Sequence, residues 1–212
     1  MSSCLGRLVS VTPEPRAAAA RPPRPERADA ARNRAKILAA AAELFVAQGP
    51  QVTMDEIARA AGVGRGTLYR RYPDTASIAV ALLDEHERVL QENLLGGPPP
   101  LGPGAPPSQR LAAFYAAMVD LLERHAPLVL GAETGASRFA TGAYGFWRAH
   151  LRALLRAGGV EPCEALIEPL LAPLAPEVYL HQRRTLGLEP AQITAALGRL
   201  AEGMLRGGGA AE

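Results

Sequence analysis

The run from Thr53 to Tyr72, TMDEIARAAGVGRGTLYRRY, gathers the side chains best suited to chemistry in this chain of 212 residues. Arg65, Arg70 and Arg71 supply guanidinium forks, Thr67 and Tyr69 supply hydroxyls, and Gly66 leaves the backbone bare among them. A guanidinium fork matches a phosphate or the O6/N7 edge of guanine, and a threonine methyl can meet a thymine methyl. Carried on one short helix beside a helix-turn joint, this set suits a DNA major groove. The plainer alternative is an antiparallel helix pair with a solvated charged face, because loose helix–glycine–helix segments are common.

The surrounding residues must hold that set in place. Thr53 followed three residues later by Glu56 is a capping box, in which hydroxyl and carboxylate each satisfy an amide at a helix start. Met54, Ile57, Ala58 and Ala61 recur at helical spacing and give one buried stripe. Gly62 falls where a helix ends in a left-handed residue, a conformation without penalty only for glycine. Val63 fills the joint and Gly64 opens the next helix. With Val63, Leu68 and Tyr72 inward, Arg65, Gly66, Thr67, Tyr69 and Arg71 face out.

Charge and composition agree with a surface turned toward a polyanion. Residues 1–72 carry 12 Lys and Arg against 6 Asp and Glu, whereas residues 73–212 carry 11 against 15. Aromatic residues make up 5% of the chain and no run of β-branched residues suggests a sheet, so the expected class is all-α. Cys4 and Cys163 form no disulfide framework and no metal spacing, and a reducing cytoplasm is the expected compartment. No signal-peptide core and no membrane-length apolar run is present. His86, His125, His150 and His181 lack zinc spacing, and neither a nucleophile elbow nor a phosphate-cradling glycine loop occurs. Asp84 and Glu85 read as solvent-facing helix charges. The expectation is a non-enzyme without catalytic residues, metal or cofactor.

Along the chain, residues 1–28 form a basic arm rich in proline, alanine and arginine, expected to be disordered; it is either a minor-groove contact or a plain solvated tail. Residues 29–95 hold a first helix (Ile37, Leu38, Ala41, Leu44 and Phe45 inward), the helix-turn-helix of 53–72 and a connecting helix over 73–95. That connecting helix turns Ile78, Leu82, Leu83, His86, Val89 and Leu90 inward. Residues 96–107 are a proline–glycine break. A helical body spans 108–212. It opens with a helix of about sixteen residues, continues after a glycine-bearing stretch (131–142) with a helix around Trp147, and kinks at Pro169 and Pro173. Pro190 starts a last helix carrying Ile193, Leu197, Leu200 and Met204.

In the body, Phe114, Tyr115, Met118, Tyr144, Phe146, Trp147 and His150 concentrate the aromatic and soft apolar surface on two helices. They either fill an ordinary core or line a mostly apolar small-molecule pocket. Ala195, Ala196, Gly198, Ala201 and Gly203 along the last helix permit close approach of another helix.

GVGRGTLYRRY (Gly62 to Tyr72), preceded by AKILAAAAELFVAQG and TMDEIARAAG, resembles the TetR family of bacterial transcription regulators over about residues 33–83. The resemblance implies three N-terminal helices that bind DNA, and a larger helical body that holds a small-molecule effector and forms a homodimer. It places Arg65, Gly66 and Thr67 at base edges, and Tyr69, Arg71 and the Thr53 helix start at phosphates. Thr75 stands where many relatives carry a basic residue gripping the backbone, and Arg70 or the arm would compensate. The expected function is a ligand-responsive homodimeric repressor that binds a pseudo-palindromic operator and is released from it by a small molecule, mostly apolar because charged residues are sparse around the aromatic stripes. A helical small-molecule binder, or an architectural DNA binder without effector control, is the alternative.

Overall fold

A computed structural model describes residues 25–129 and 142–206. The first 24 residues of the expected arm, and nearly all of the glycine-bearing stretch before Gly142, lie outside the described residues. Every regular element described is helical, in line with the all-α expectation.

Helix α1 spans Pro25–Gln48 and begins at a proline, four residues before the expected start near Asp29. Proline suits the first helical position because its missing N–H has no partner there in any case. α2 (Met54–Ala61) and α3 (Arg65–Arg71) follow, and α4 runs unbroken over Thr75–Gly96. Asp74 caps α4, accepting from the Ser77 amide at 2.7 Å. The body comprises α5 (Pro107–Val129), α6 (Gly142–Ala157), α7 (Cys163–Leu171), α8 (Pro176–Leu180) and α9 (Pro190–Arg206). A π-helical turn, His181–Thr185, extends α8.

α5 is the central helix of the body and packs against α4, α6, α8 and α9. It is 23 residues long, where sequence periodicity suggests about sixteen. The apolar stripe stops at Leu122, but the buried face continues through His125 and Ala126, which are too polar or too small to announce themselves. Pro169 sits inside α7, and a 3₁₀ turn at Ala172–Leu174 separates α7 from α8. Where α7 unwinds, the fully buried Tyr115 donates its hydroxyl proton to the Leu170 carbonyl at 3.0 Å.

One continuous core runs from Ile37 in α1 to Ala201 in α9, so the front helices and the body share their interior. α4 joins them: Ile78, Ala79, Leu82 and Leu83 are buried in its first half, and Leu90 and Leu94 in its second. Val89, expected inward, is 42% exposed at the lip of a cleft between α4 and α5, and Leu200 of α9 is 56% exposed. Both lie one helical step off the buried stripe of their helix.

Two contacts grip α4 at adjacent residues. Glu85, expected to be solvated, is instead half-buried and accepts from Arg34 of α1 at 2.7 Å and from Arg88 at 2.6 Å. Hydrogen bonds from Arg88 first and then Arg34 hold its carboxyl down at about 2. His86 Nδ1 lies 2.7 Å from His125 Nε2 on α5, so the two neutral rings share one proton. His125 is only 2% exposed; burial, then the neighbouring His86 and Arg124, push its imidazole down to about 4. Burial and Arg124 also lower His86, against the opposing pull of Glu85.

Unfolding releases these imidazoles to titrate near 6.5, whereas folded His125 and His150 stay neutral down to about 4. The native state thus binds fewer protons through that window, and stability present above pH 6.5 falls as pH drops toward 4. Denaturant unfolding should lose roughly 1–3 kcal/mol across this range. In His125→Leu the acid limb should be shallower; an identical limb would trace the loss to other groups.

Candidate nucleic-acid interface

The predicted capping box is present. Thr53 Oγ1 accepts from the Glu56 amide at 3.3 Å, while Glu56 Oε2 accepts from the Thr53 amide at 2.9 Å and its hydroxyl at 2.7 Å. These bonds lower the Glu56 carboxyl below the usual carboxylate range. They fix the start of α2, while Met54, Ile57, Ala58 and Ala61 bury its inner face. Gly62 then ends α2 at φ 63° and ψ 34°, the left-handed conformation expected, and donates to the Arg59 carbonyl at 3.2 Å. Val63 donates to the Ala58 carbonyl at 3.0 Å, which satisfies another helix-end acceptor.

Gly64 caps α3, its carbonyl accepting from Thr67 at 2.9 Å. Leu68 is completely buried and Tyr72 nearly so, and these two anchors set the rotation of α3. Arg65, Gly66, Tyr69, Arg70 and Arg71 are exposed and Thr67 is half-buried, as the facing argument required. A Cβ built on Gly66 would meet no other side chain or neighbouring element among the described residues. Glycine within a helix costs about 0.5–1 kcal/mol relative to alanine, and no internal contact of this chain offsets that.

The outward side chains differ in their partners. Arg65 donates from Nη2 to the carboxylate of Asp55 in the first turn of α2. Arg70 reaches the Thr67 hydroxyl at 3.5 Å, and Arg71 donates to the Ala30 carbonyl near the start of α1 at 3.3 Å. Sequence reasoning missed Asp55 and Ala30. An acidic residue in a first turn reads as a dipole partner, and a backbone carbonyl carries no sequence signal. Thr75 lies half-buried in the first turn of α4, next to the Asp74 carboxylate that already accepts from the Ser77 amide. Arg65, Gly66, Tyr69 and Arg70 lie on the exposed part of α3 with Thr67 half-buried among them, and Thr53 and Thr75 stand at the starts of α2 and α4.

The candidate effector residues also fall on adjacent helices, α5 and α6. Phe114 and Tyr115 are fully buried, and Met118 and Trp147 nearly so. The Phe114 ring lies 5.7 Å from Trp147 and 5.3 Å from His150. Tyr144 hydrogen bonds through its hydroxyl to Glu168. His150 Nε2 is buried without a partner among the described residues, and burial followed by Arg110 pushes its imidazole down to about 4. The α4–α5 cleft, about 250 Å³, has a different lining, including His86, Val89, Leu90, Leu101, Leu121 and Arg124. Among the described residues no group of histidine, cysteine and carboxylate side chains is arranged to hold a metal ion, and no helix is long and apolar enough to cross a membrane.

Residues 37–82 match the model of the bacterial regulatory proteins of the tetR family. An uncharacterized HTH-type transcriptional regulator of Mycobacterium bovis is 52% identical over 64 residues, which is 29% of this chain and 34% of that one. The HTH-type regulator TtgW of Pseudomonas putida is 42% identical over 65 residues, 30% of this chain and 48% of its own length. The chain thus spans about a third to a half of the length of the curated relatives it matches. The fold likeness extends further. A TetR-family regulator from Streptomyces coelicolor superposes with a TM-score of 0.59 at 19% identity, over 84% of this chain and 96% of that one. FadR from Bacillus subtilis, solved in complex with stearoyl-CoA, gives 0.58 at 15% identity over 79% and 96%. Residues 37–82 thus match the helix-turn-helix of the bacterial regulatory proteins of the tetR family, and the chain as a whole shares the fold of solved TetR-family regulators.

Proposed function

We propose that this chain is a sequence-specific DNA-binding transcriptional regulator that acts as a homodimer and responds to a small, mostly apolar molecule. The observation that carries the first part is the exposed surface of α3, where three arginines and the Tyr69 hydroxyl stand beside a glycine whose missing Cβ would meet open space among the described residues. Arg65 reads guanine O6 and N7, Gly66 lets the helix approach closely, and the Thr67 methyl meets a thymine. Tyr69, Arg70 and Arg71 grip phosphates, and the α2 start at Thr53 offers a hydroxyl and amides to another. Thr75 makes a weaker contact than a basic residue, since Asp74 already occupies the start of α4.

Dimerisation through the C-terminal helices is supported by the outer surface of α8 and α9. Val178 of α8, Leu186 just after the π-helical turn and Leu200 of α9 are exposed, as are the small residues Ala195, Ala196 and Gly203 of α9. Two copies of α3 on one two-fold axis then require a pseudo-palindromic operator with half-sites about one helical turn apart. The effector reading rests on the cluster of Phe114, Tyr115, Met118, Tyr144, Trp147 and His150. A buried His150 Nε2 without a partner among the described residues, set in an aromatic wall, is a polar handle of the kind small-molecule sites use. The complex of FadR with stearoyl-CoA gives a precedent in a protein of the same fold. Repression relieved by the effector is the regulatory mode this arrangement supports best.

Selection of bound fragments from a random duplex library, followed by anisotropy titration, tests the reading. Arg65→Ala should flatten preference at one base position per half-site, a discrimination of about 1–3 kcal/mol. Arg71→Ala should instead weaken all duplexes and shallow the salt slope by about one unit. If Arg65→Ala weakened every sequence equally, the residue belongs with the phosphate contacts. Gly66→Ala should raise unfolding stability by up to about 1 kcal/mol while weakening the selected site. Equal affinity in that variant would end the close-approach role. Leu200→Glu should shift the dimer toward monomer in sedimentation at micromolar concentration; a wild type that is itself monomeric would contradict the assembly.

A further inference from the structure

We propose that Asp55 is a specificity-determining positioning residue: its carboxylate holds the Arg65 guanidinium until a guanine edge replaces it. Arg65 then adds to binding at its own base and little elsewhere. The proposal rests on the DNA-binding reading above and deepens it.

Asp55 lies in the first turn of α2 and Arg65 in the first turn of α3. The capping box at Thr53 and the left-handed Gly62 fix these two turns relative to each other, so the pair is built into the joint. Arg65 contacts Asp55 through Nη2. The side chains are 69% and 41% exposed, and an exposed ion pair contributes little to folding. Its consequence is therefore felt at the surface.

The other two arginines of α3 are engaged differently. Arg70 reaches a hydroxyl and Arg71 a carbonyl, and neither is paired with a carboxylate among the described residues. Their charge stays uncompensated and attracts any phosphate backbone. Arg65 is compensated, so its pull on an arbitrary duplex is small. At the cognate position, guanine O6 and N7 supply two acceptors that the guanidinium exchanges for Asp55, at a distance and orientation the joint already sets. At any other base the exchange has no return, and the Asp55 carboxylate then faces an electronegative groove. Attraction and discrimination thus fall to different arginines, and Asp55 keeps them separate.

The full chain, Asp55→Asn, Asp55→Ala, Arg65→Ala and the double variant Asp55→Asn/Arg65→Ala are titrated by anisotropy. The duplexes are the selected site, the same site altered at the base position that Arg65→Ala makes indifferent, and a scrambled sequence, each at several salt concentrations. In Asp55→Asn, binding to the scrambled duplex should tighten about 3–10-fold and its salt slope steepen by about one unit. The penalty for the altered base should shrink about tenfold, with the melting temperature unchanged. The double variant should lose the scrambled-duplex gain, because no cation is freed. An unchanged specificity ratio and salt slope in Asp55→Asn would overturn the proposal. So would uniform weakening on all three duplexes with a lowered melting temperature, which marks a purely structural contact. A wild type that prefers no duplex removes the DNA-binding reading, and the proposal with it, before any substitution is made.

Discussion

The molecule depends on how α4 is held at residues 85 and 86. Consecutive side chains on a helix point about 100° apart, and here they reach in different directions to different helices. Glu85 takes Arg34 of α1 while His86 takes His125 of α5. The first contact is ionic and braced by Arg88; the second is a neutral hydrogen bond buried against the body. A helix gripped on two sides within one turn cannot tilt against α5 without moving against α1. The shared core reinforces this, since no apolar gap separates the front helices from the body.

The front unit solves a different problem, which is to present polar groups rather than bury them. Its fold is fixed by a small number of local devices: one capping box, one left-handed glycine and the two anchors Leu68 and Tyr72. Because the inner face alone determines the rotation of α3, the outer face is free to carry residues that do nothing for stability. Gly66 is the clearest instance, being worse than alanine for the helix and having open space among the described residues where a Cβ would stand. A position that weakens its own helix without internal return points to a contact outside the chain.

What was legible in the sequence is what is local. The Thr53–Glu56 box, the Gly62 turn and the facing of α3 follow from spacings of three and four residues, and all three are present. The proline–glycine break before Pro107 and the start of α9 at Pro190 were legible for the same reason. The polar pairs were not. Arg65 and Asp55 are 10 residues apart, His86 and His125 are 39, Arg71 and Ala30 are 41, and Arg34 and Glu85 are 51. Each pair exists only because two helices pack at a particular angle and register, which no single-helix periodicity encodes. Glu85 therefore read as a solvated charge, and His125 was lost in a stretch that seemed past the end of its helix.

These long-range pairs also set the terms on which a ligand in the body could act on the front. Phe114 and Met118 sit on α5, the helix that carries His125. Under the ligand-responsive reading, a molecule seated against Phe114, Trp147 and His150 works on α5 directly and reaches α4 through the His86–His125 bond and the α4–α5 packing. It shifts the front helices only by the difference in its affinity for two arrangements of that contact, however tightly it binds either one. A short, directional bond between two neutral rings suits this role, because a small change of angle or distance removes it. The Glu85–Arg34 ion pair is more tolerant of distance and would keep α1 following α4 as it moves. Under that reading the neutral bond at 86 would be the discriminating contact and the charged one at 85 the tether.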